Sequence, residues 1–217
     1  MLYLSGCLPK APEMQTMLRT AECGLMMQPG IGYSAATVTG WQWAADNGCF
    51  NTKTFDHDKW VAWLTKMVDV PGCLFAVVPD VVGDHAATLE RFHQFWHIPA
   101  DLGYRVAFVA QDGCTVADVP WADVGAVFIG GTTAFKLGRN AEQIVRHARS
   151  IGVWSHMGRV NSRRRLAIAA EWGCDSVDGT YLAFGPDVNT PRLVGYLNHV
   201  NTNPSLFTEE IPIAWNV

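Results

Sequence analysis

The segment "RVAFVAQDGCTVADVPWADVGAVFIGG", residues 105–131, carries the pattern that determines the fold class. It contains two short and nearly unbroken apolar runs, "RVAFVAQ" (105–111) and "GAVFIGG" (125–131). Runs of this kind are typical of strands that are buried on both faces, as in a parallel sheet. The segment therefore predicts two buried strands, each followed by polar or glycine residues.

The same pattern recurs along the chain and alternates with stretches of helical spacing. The other predicted strands are 2–5, 41–46, 74–80, 152–158 and 174–178. The predicted helices are 56–68, 84–97, 139–150, 161–172 and 190–200, with an irregular tail from about residue 201. Repeated strand–helix units predict an α/β fold, and seven strands favour a (β/α)8 TIM-like barrel over an open doubly wound sheet. Because 217 residues is short for this barrel, whose usual length is about 250, we expect a trimmed or partly open form; no eighth strand is apparent.

Composition predicts one soluble domain spanning residues 1–217. Hydrophobic residues make up 49% and charged residues 17%, as in ordinary globular proteins. No apolar run approaches the roughly 20 residues that cross a bilayer, and no secretory signal is apparent, so a cytoplasmic location is expected. The six cysteines are scattered, and His93 and His97 have no third ligand near in sequence. We therefore expect no metal site.

Positive charge is concentrated in one segment although the net charge is −4. Residues 136–165 contain eight basic residues and one acid, Glu142. This pattern fits either solvated helix faces or a surface that contacts phosphates.

The predicted strands end in polar residues that would meet at one end of a barrel, where the active sites of such barrels lie. The strand-end groups are Asp46, Asn47, Asp80, Gln111, Gly130, Gly131, Thr132, His156, Met157 and Asp178. One such aspartate is explained by turn or cap chemistry; Asp84, for example, fits a helix N-cap, although it could replace Asp80. Three carboxylates and an amide at successive strand ends favour a catalytic site.

The ordered set resembles the tRNA-guanine transglycosylase superfamily. "AADNGCF" (44–50) resembles its Asp-Ser-Gly-Gly-aromatic motif, and "VVPDVVGD" (77–84) its strand-end aspartate. "FVAQDG" (108–113), "FIGG" (128–131) and "HMGRV" (156–160) resemble its Val-Gln-Gly, Gly-Gly and Leu-Met-Gly-Val segments. "GCDSVDGT" (173–180) resembles its nucleophile motif.

Differences from the transfer-RNA enzymes indicate a particular branch. The chain lacks their C-terminal Cys-rich zinc site, and "YLAFGPDVN" (181–189) stands where they carry a basic segment. Asn47 replaces the serine of the first motif. These differences resemble the shorter relatives from viruses and bacteria that place 7-deazaguanines in DNA. The resemblance implies exchange of guanine in DNA for a preQ0-like base, without a cofactor, in the cytoplasm (the host's if the protein is viral).

The resemblance also assigns roles to residues. Asp178 would be the nucleophile and Asp46 the general acid and base. Asp80 would accept hydrogen bonds from the guanine edge, with Gln111 and the backbone N–H groups of Gly131 and Thr132 as donors to its carbonyl. Phe50 and Met157 would sandwich the base, with plain core packing as the alternative for both. Asn47 and Gly130 complete the expected pocket.

Binding of DNA is assigned to the basic segment, and other functions stay open. Arg159, Arg163, Arg164 and Arg165 are the expected phosphate contacts for a nucleotide flipped out of the duplex. The alternatives are action on tRNA or another RNA, and a catalytically silent nucleic-acid-binding relative. An unrelated barrel hydrolase or aldolase would need metal ligands or a strand-end lysine, neither of which is evident. A homodimer or an accessory protein also stays open.

Only one of the two aspartates in "CDSVD" (174–178) can face the barrel interior. Side chains alternate between the two faces of a strand, and Asp175 and Asp178 are three positions apart. Asp178 lies at the end where chemistry is expected, so the sequence predicts a structural role for Asp175. His156 remains open between a base or phosphate contact and a structural role.

Overall fold

The computed structural model describes residues 1–30, 34–50 and 55–202 of the chain. They form a closed parallel barrel in which each strand pairs with its neighbours in sequence and β8 pairs with β1. The strands are β1 Leu2–Ser5, β2 Cys23–Met27, β3 Trp43–Ala45, β4 Cys73–Val77, β5 Val106–Ala110, β6 Ala126–Ile129, β7 Trp154–Met157 and β8 Ser176–Gly179. The helices are α1 Pro12–Thr20, α2 Ala35–Val38, α3 His57–Met67, α4 His85–Phe95, α5 His97–Asp101, α6 Thr133–Lys136, α7 Arg139–Ser150, α8 Arg163–Trp172 and α9 Pro186–Thr202.

The predicted (β/α)8 barrel is confirmed, and its closure excludes the partly open variant. The barrel is trimmed, since its strands are between three residues (β3) and five residues (β4) long. The strand expected over 74–80 ends at Val77, so Asp80 lies in the loop that follows β4. The last helix is longer than expected, because α9 continues to Thr202. The expected irregular tail lies mostly in residues 203–217, outside the described residues.

Strand β2, "CGLMM", is the element that the sequence pattern did not reveal. All five of its residues are buried, but it contains a glycine and no β-branched side chain, so its strand propensity is low. Packing requires the glycine. A Cβ at Gly24 would lie 2.5 Å from the carbonyl oxygen of Gln42 and 2.8 Å from a methyl carbon of Leu4. A contact between neighbouring strands, which sequence does not show, explains this strand.

Two apolar layers hold the barrel together. Alternate strand residues point inward and fill the barrel, among them Leu4, Phe75 and Val109. The intervening residues, such as Phe108 and Val177, pack outward against the helices. Because this alternation continues to the ends of the strands, it determines which strand residues point into the barrel at the C-terminal ends of the strands.

Candidate active site

A pocket of about 240 Å³ opens at the C-terminal ends of the strands. Its floor is apolar, formed by Val77, Val109 and Phe128. Polar side chains form the wall above this floor: Asp46, Asn47, Asp80, Gln111, Lys136, Arg159 and Asp178. The pocket thus combines an apolar floor with convergent polar groups, the usual composition of a small-molecule site.

Asp178 lies on the inward face of β8 and is held from two sides. Its Oδ1 accepts a hydrogen bond from Nε2 of His156 at 3.0 Å and another from the backbone N–H of Arg159 at 3.3 Å. The side chain is 18% exposed. Among the described residues, no hydrogen bond reaches Oδ2, so this oxygen is available to a molecule in the pocket.

Asp175 has the structural role that the sequence predicts. Its Oδ2 accepts hydrogen bonds from the backbone N–H of Ser155 at 2.7 Å and from its hydroxyl at 3.1 Å. It lies before the first residue of β8, at the end of the barrel opposite the pocket. Its contacts tie β7 to β8.

Asp46 follows β3 and is the carboxyl group with the most altered proton affinity. Burial, together with the charges of Asp178 and Asp80, raises its pKa to about 7. The backbone N–H groups of Gly48 and Asn47 act in the opposite direction. A carboxyl with this pKa exists in both protonation states near neutral pH, as a general acid and base requires.

Asp80 is enclosed by two amides that lie on different loops. Nδ2 of Asn47 donates to its Oδ1 at 2.8 Å, and Nε2 of Gln111 donates to its Oδ2 at 2.5 Å. Burial raises the pKa of Asp80, whereas these two hydrogen bonds lower it. The other ends of the amides are also fixed, since the N–H of Cys49 donates to Oδ1 of Asn47 and the N–H of Gly83 to Oε1 of Gln111.

The structure corrects the expectation for Thr132. Its backbone N–H donates to Oδ2 of Asp112 at 2.8 Å, and its hydroxyl donates to Oδ1 of Asp112 at 2.5 Å. Its Oγ1 also caps α6 by accepting from the N–H of Phe135. Thr132 therefore serves the loop and not a carbonyl in the pocket. Gly130 and Gly131 do line the pocket, and a Cβ at Gly130 would lie 2.9 Å from Nε2 of Gln111.

The expectation for Met157 is also corrected. It is 1% exposed and belongs to the layer between strands and helices, since the inward position of β7 is taken by His156, and Gly158, which directly follows the strand, lines the pocket. Phe50 does reach the pocket mouth and is 66% exposed. The guanidinium of Arg159 lies 4.7 Å from the centre of its ring. The expected Phe50–Met157 sandwich is thus absent, and Arg159 covers the Phe50 ring instead.

The basic segment does not form one surface. Arg159 and Arg165 lie at the pocket rim, where Arg159 donates to the carbonyl of Gly131 at 2.6 Å and Arg165 to the carbonyl of Arg159 at 3.3 Å. Arg163 instead lies over the ring of Tyr196 on α9, at 5.8 Å. Arg149 lies against Gly173, at the opposite end of the barrel.

Arg164 lines the same groove as Arg163, between α8 and α9. The three arginines at 163–165 occupy the first turn of α8, which carries no acid. This placement adds their charge to the positive end of the helix dipole. Only Arg165 of the three directs this charge to the pocket rim.

The sequence did not assign two residues of the site: Lys136, which lines the pocket, and His156, which contacts Asp178 from inside the barrel. Lys136 was grouped with the surface charges, yet it is 3% exposed, and its Nζ donates to the carbonyl of Gly158 at 3.0 Å. Burial and the neighbouring Arg159 lower its pKa to about 8. His156 is fully buried. His156 lies two residues after Trp154 and therefore on the same face of β7, which was the available signal. The one-turn helix α6 that brings Lys136 to the pocket has no such signal in the sequence.

One group of potential metal ligands occurs in the described part of the chain, and it lies outside the pocket. His85, Cys114 and Asp118 each offer an atom within 4.8 Å of the others. Oδ2 of Asp118 already accepts from the N–H and the hydroxyl of Thr115. His93 and His97 do not belong to this group. Among the described helices, none is long and apolar enough to cross a membrane.

Comparisons with known proteins identify the fold. No family model and no curated protein matches the chain. Tryptophan synthase from M. tuberculosis, with aminoacrylate and BRD0059 bound, is 15% identical with a TM-score of 0.57 and covers 93% of this chain and 90% of its own. A native KDPGal structure is 13% identical, with a TM-score of 0.57 over 94% of each chain.

A third solved structure, the BexX/CysO complex of Amycolatopsis orientalis, is 15% identical and has a TM-score of 0.58. The match covers 99% of this chain and 93% of that one. Identities this low show the shared fold alone. The chain is therefore a (β/α)8-barrel protein with an acidic pocket at the C-terminal ends of its strands.

Proposed function

We propose that the protein is a base-exchange transglycosylase that replaces guanine in DNA with a 7-deazaguanine. The observation that carries the proposal is the convergence of Asp46, Asp80 and Asp178 in one pocket. The pocket volume of about 240 Å³ equals that of roughly eight liquid waters, the scale of one bicyclic base. The resemblance of the strand-end motifs assigns each carboxylate a separate role.

Asp178 acts as the nucleophile in two successive displacements. In the first, its Oδ2 bonds to C1′ of the deoxyribose while the bond from C1′ to guanine breaks, and Asp46 donates a proton to the departing base. In the second, Asp46 takes a proton from the incoming 7-deazaguanine, whose nitrogen bonds to C1′ as the bond to Asp178 breaks. The protein ends in its starting state.

Asp80 binds the guanine-like edge of both bases. Its two oxygens each keep lone pairs beyond those used by Asn47 and Gln111, and these accept from the ring N–H and the exocyclic amine. The amides hold the carboxylate in one orientation, so little conformational freedom is lost when a base binds. This role belongs to the proposal, and the hydrogen bonds to Asn47 and Gln111 are its support.

DNA would reach the pocket with the target nucleotide flipped out of the stack. Arg159 and Arg165 at the rim would contact the phosphates beside that nucleotide, and Phe50 at the mouth offers an aromatic face. RNA and silent binding stay as alternatives within this geometry. A silent binder has little use for three carboxylates close to phosphates.

Base incorporation tests the proposal directly. Radiolabelled guanine or a 7-deazaguanine is incubated with the protein and either duplex DNA or RNA, and label in the polymer is counted. We expect incorporation into DNA, its loss in Asp178→Asn, and its retention in the matched control Asp175→Asn. Label in RNA alone would replace DNA by RNA as the substrate, and binding of DNA without any label would favour a silent relative.

A second candidate function rests on Lys136. The sequence suggested no strand-end lysine, but the structure places this buried amine beside the pocket, with a pKa of about 8. An amine with a lowered pKa forms imines with carbonyl compounds. Borohydride reduction in the presence of pyruvate or glyoxylate, followed by peptide mass analysis, tests it. A reduced adduct on Lys136 that is absent in Lys136→Arg would support imine chemistry, and an unmodified Lys136 would exclude it for these carbonyls.

A further inference from the structure

A line of four hydrogen-bonded side chains leads through the barrel interior to Asp178. Nε1 of Trp154 donates to Oγ of Ser176 at 2.8 Å, and this oxygen lies 2.9 Å from Nδ1 of His156. Nε2 of His156 lies 3.0 Å from Oδ1 of Asp178. Ser176 and His156 are both fully buried, so water does not compete for these bonds.

In the hydrogen bond between His156 and Asp178, the histidine is the donor and the carboxylate is the acceptor. An indole N–H can only donate, so Ser176 accepts from Trp154, and its own hydroxyl hydrogen is free to point at Nδ1 of His156. Because an ionised carboxylate can only accept, the neutral ring beside a charged Asp178 carries its proton on Nε2, and the Ser176 hydroxyl then donates to Nδ1. If the ring is protonated, both nitrogens donate and Ser176 accepts twice. In either state Nε2–H donates to Asp178.

Packing fixes the ring that makes this contact. The ring centre of His156 lies 5.3 Å from that of Phe75 and 4.6 Å from that of Phe128. The two aromatic rings, together with the bonds at both nitrogens, prevent rotation of the imidazole. The apolar surroundings also strengthen the bond to the carboxylate, because the local dielectric is low.

We propose that His156 is the positioning residue of the nucleophile: it binds Oδ1 of Asp178 and thereby directs Oδ2 at C1′ of the substrate. This inference rests on the proposed function, because only a nucleophilic role gives the two oxygens different tasks. The N–H of Arg159 shares Oδ1 and reinforces the orientation. When Oδ2 is released in the second displacement, the negative charge returns to a carboxylate that already has this donor in place.

Spectroscopy tests the pair without any need for activity. In ¹⁵N-labelled protein, long-range ¹H–¹⁵N spectra report which ring nitrogens carry protons, and His156→Gln identifies the signals of His156. We expect a proton on Nε2, alone or together with one on Nδ1, and a clear displacement of these signals in Asp178→Asn. A ring protonated on Nδ1 only, or signals that do not respond to Asp178→Asn, would overturn the inference.

Kinetics test the consequence. The amide of Gln reaches the position of Nε2 and can donate, whereas Leu cannot. We expect His156→Leu to slow formation of the DNA adduct about 10²-fold, the scale of a misplaced reacting group, with an unchanged KM. His156→Gln should recover most of this loss.

The outcomes separate this inference from the proposed function. Equal losses in His156→Leu and His156→Gln, with both folded by circular dichroism, would overturn it. If His156→Leu does not fold, His156→Gln and the spectra still decide. If the wild type exchanges no base and forms no adduct, the transglycosylase proposal fails, and the spectra alone then determine whether His156 orients Asp178.

Discussion

On the side of the pocket beyond β3 to β5, both oxygens of Asp80 accept hydrogen bonds from buried amides. On the side beyond β6 to β8, the hydrogen bonds that Asp178 accepts from the described residues all reach Oδ1, and the nearby charges on that side are the cations Lys136 and Arg159. A carboxylate held at both oxygens is suited to recognition, because its geometry is fixed. One held at a single oxygen keeps the other for reaction. The difference shows how similar aspartates in one pocket can take separate roles.

Removal of the reactive oxygen should have the largest effect. Asp178→Asn is expected to reduce base exchange by on the order of 10⁴-fold or more, the scale for loss of a catalytic nucleophile. Steady-state incorporation of a labelled base into DNA measures the effect. The matched control Asp175→Asn lies directly before the same strand, at the opposite end of the barrel, and should keep at least half of the rate. A comparable loss in both variants would mean that strand damage, and not chemistry, is the cause.

Asp46→Asn should lower the rate by about 10²- to 10⁴-fold, the usual range for a general acid or base. Because the pKa of Asp46 is about 7, adduct formation in the wild type should decline as the pH rises through that value. The protonated form that donates to the leaving base is then lost. This decline of adduct formation with rising pH should be missing in Asp46→Asn. A wild-type profile that is flat from pH 6 to 8 would contradict the assignment.

The same substitution should stabilise the protein. The pKa of Asp46 is raised on folding, so its contribution to stability is present below about pH 4, the unfolded value, and is lost as the pH rises to about 7. Asp46→Asn removes this penalty. Its free energy of unfolding should exceed that of the wild type at pH 8 by about 4 kcal/mol, because the pKa of Asp46 rises from 3.8 to about 7 and each pKa unit corresponds to about 1.36 kcal/mol. Urea titrations at pH 4 and pH 8 measure the difference, and an equal change at both would contradict the burial of this charge.

Substitutions at the two amides that hold Asp80 should weaken the binding of the 7-deazaguanine base. Asn47→Ala and Gln111→Ala each remove one donor from Asp80, and a buried group left without its partner costs about 1–3 kcal/mol. The KM for the 7-deazaguanine should rise roughly tenfold or more in each variant, with a smaller change in kcat. The exposed Gln42, at the other end of the barrel, provides the control Gln42→Ala. Changes confined to kcat would assign the amides to the chemical step.

The smallest effect is expected at the rim. Arg165→Glu should weaken DNA binding severalfold and reduce the salt slope of the binding constant by about 0.9 for each phosphate that Arg165 neutralises. Arg149→Glu, which changes charge equally at the opposite end of the barrel, should leave the slope unchanged. Fluorescence anisotropy at several salt concentrations measures both. Equal slopes in the two variants would remove the rim from the DNA interface.

The two sides of the pocket also differ in how far the sequence predicts them. Inward positions such as Asp178 follow from strand periodicity, and its contrast with Asp175 was predicted correctly. The expectation for Met157 was wrong because it followed the resemblance of the motif. Strand alternation places Met157 on the outward face of β7, against the helices. Strand β2 and the returning Lys136 depend on contacts between distant segments, which local patterns do not encode. The Asn47–Asp80–Gln111 network likewise depends on loop geometry beyond the strand ends.

Attack of Asp178 on a sugar carbon of DNA is the step on which the proposed function depends. To detect it, a guanine-containing oligonucleotide is incubated with the protein, the reaction is quenched under denaturing conditions, and the covalent product is digested for peptide mass analysis. We expect a protein–DNA adduct on the peptide that contains Asp178, with guanine released in equal amount. An adduct on Lys136 or Asp46, or one formed undiminished in Asp178→Asn, would contradict this role for Asp178.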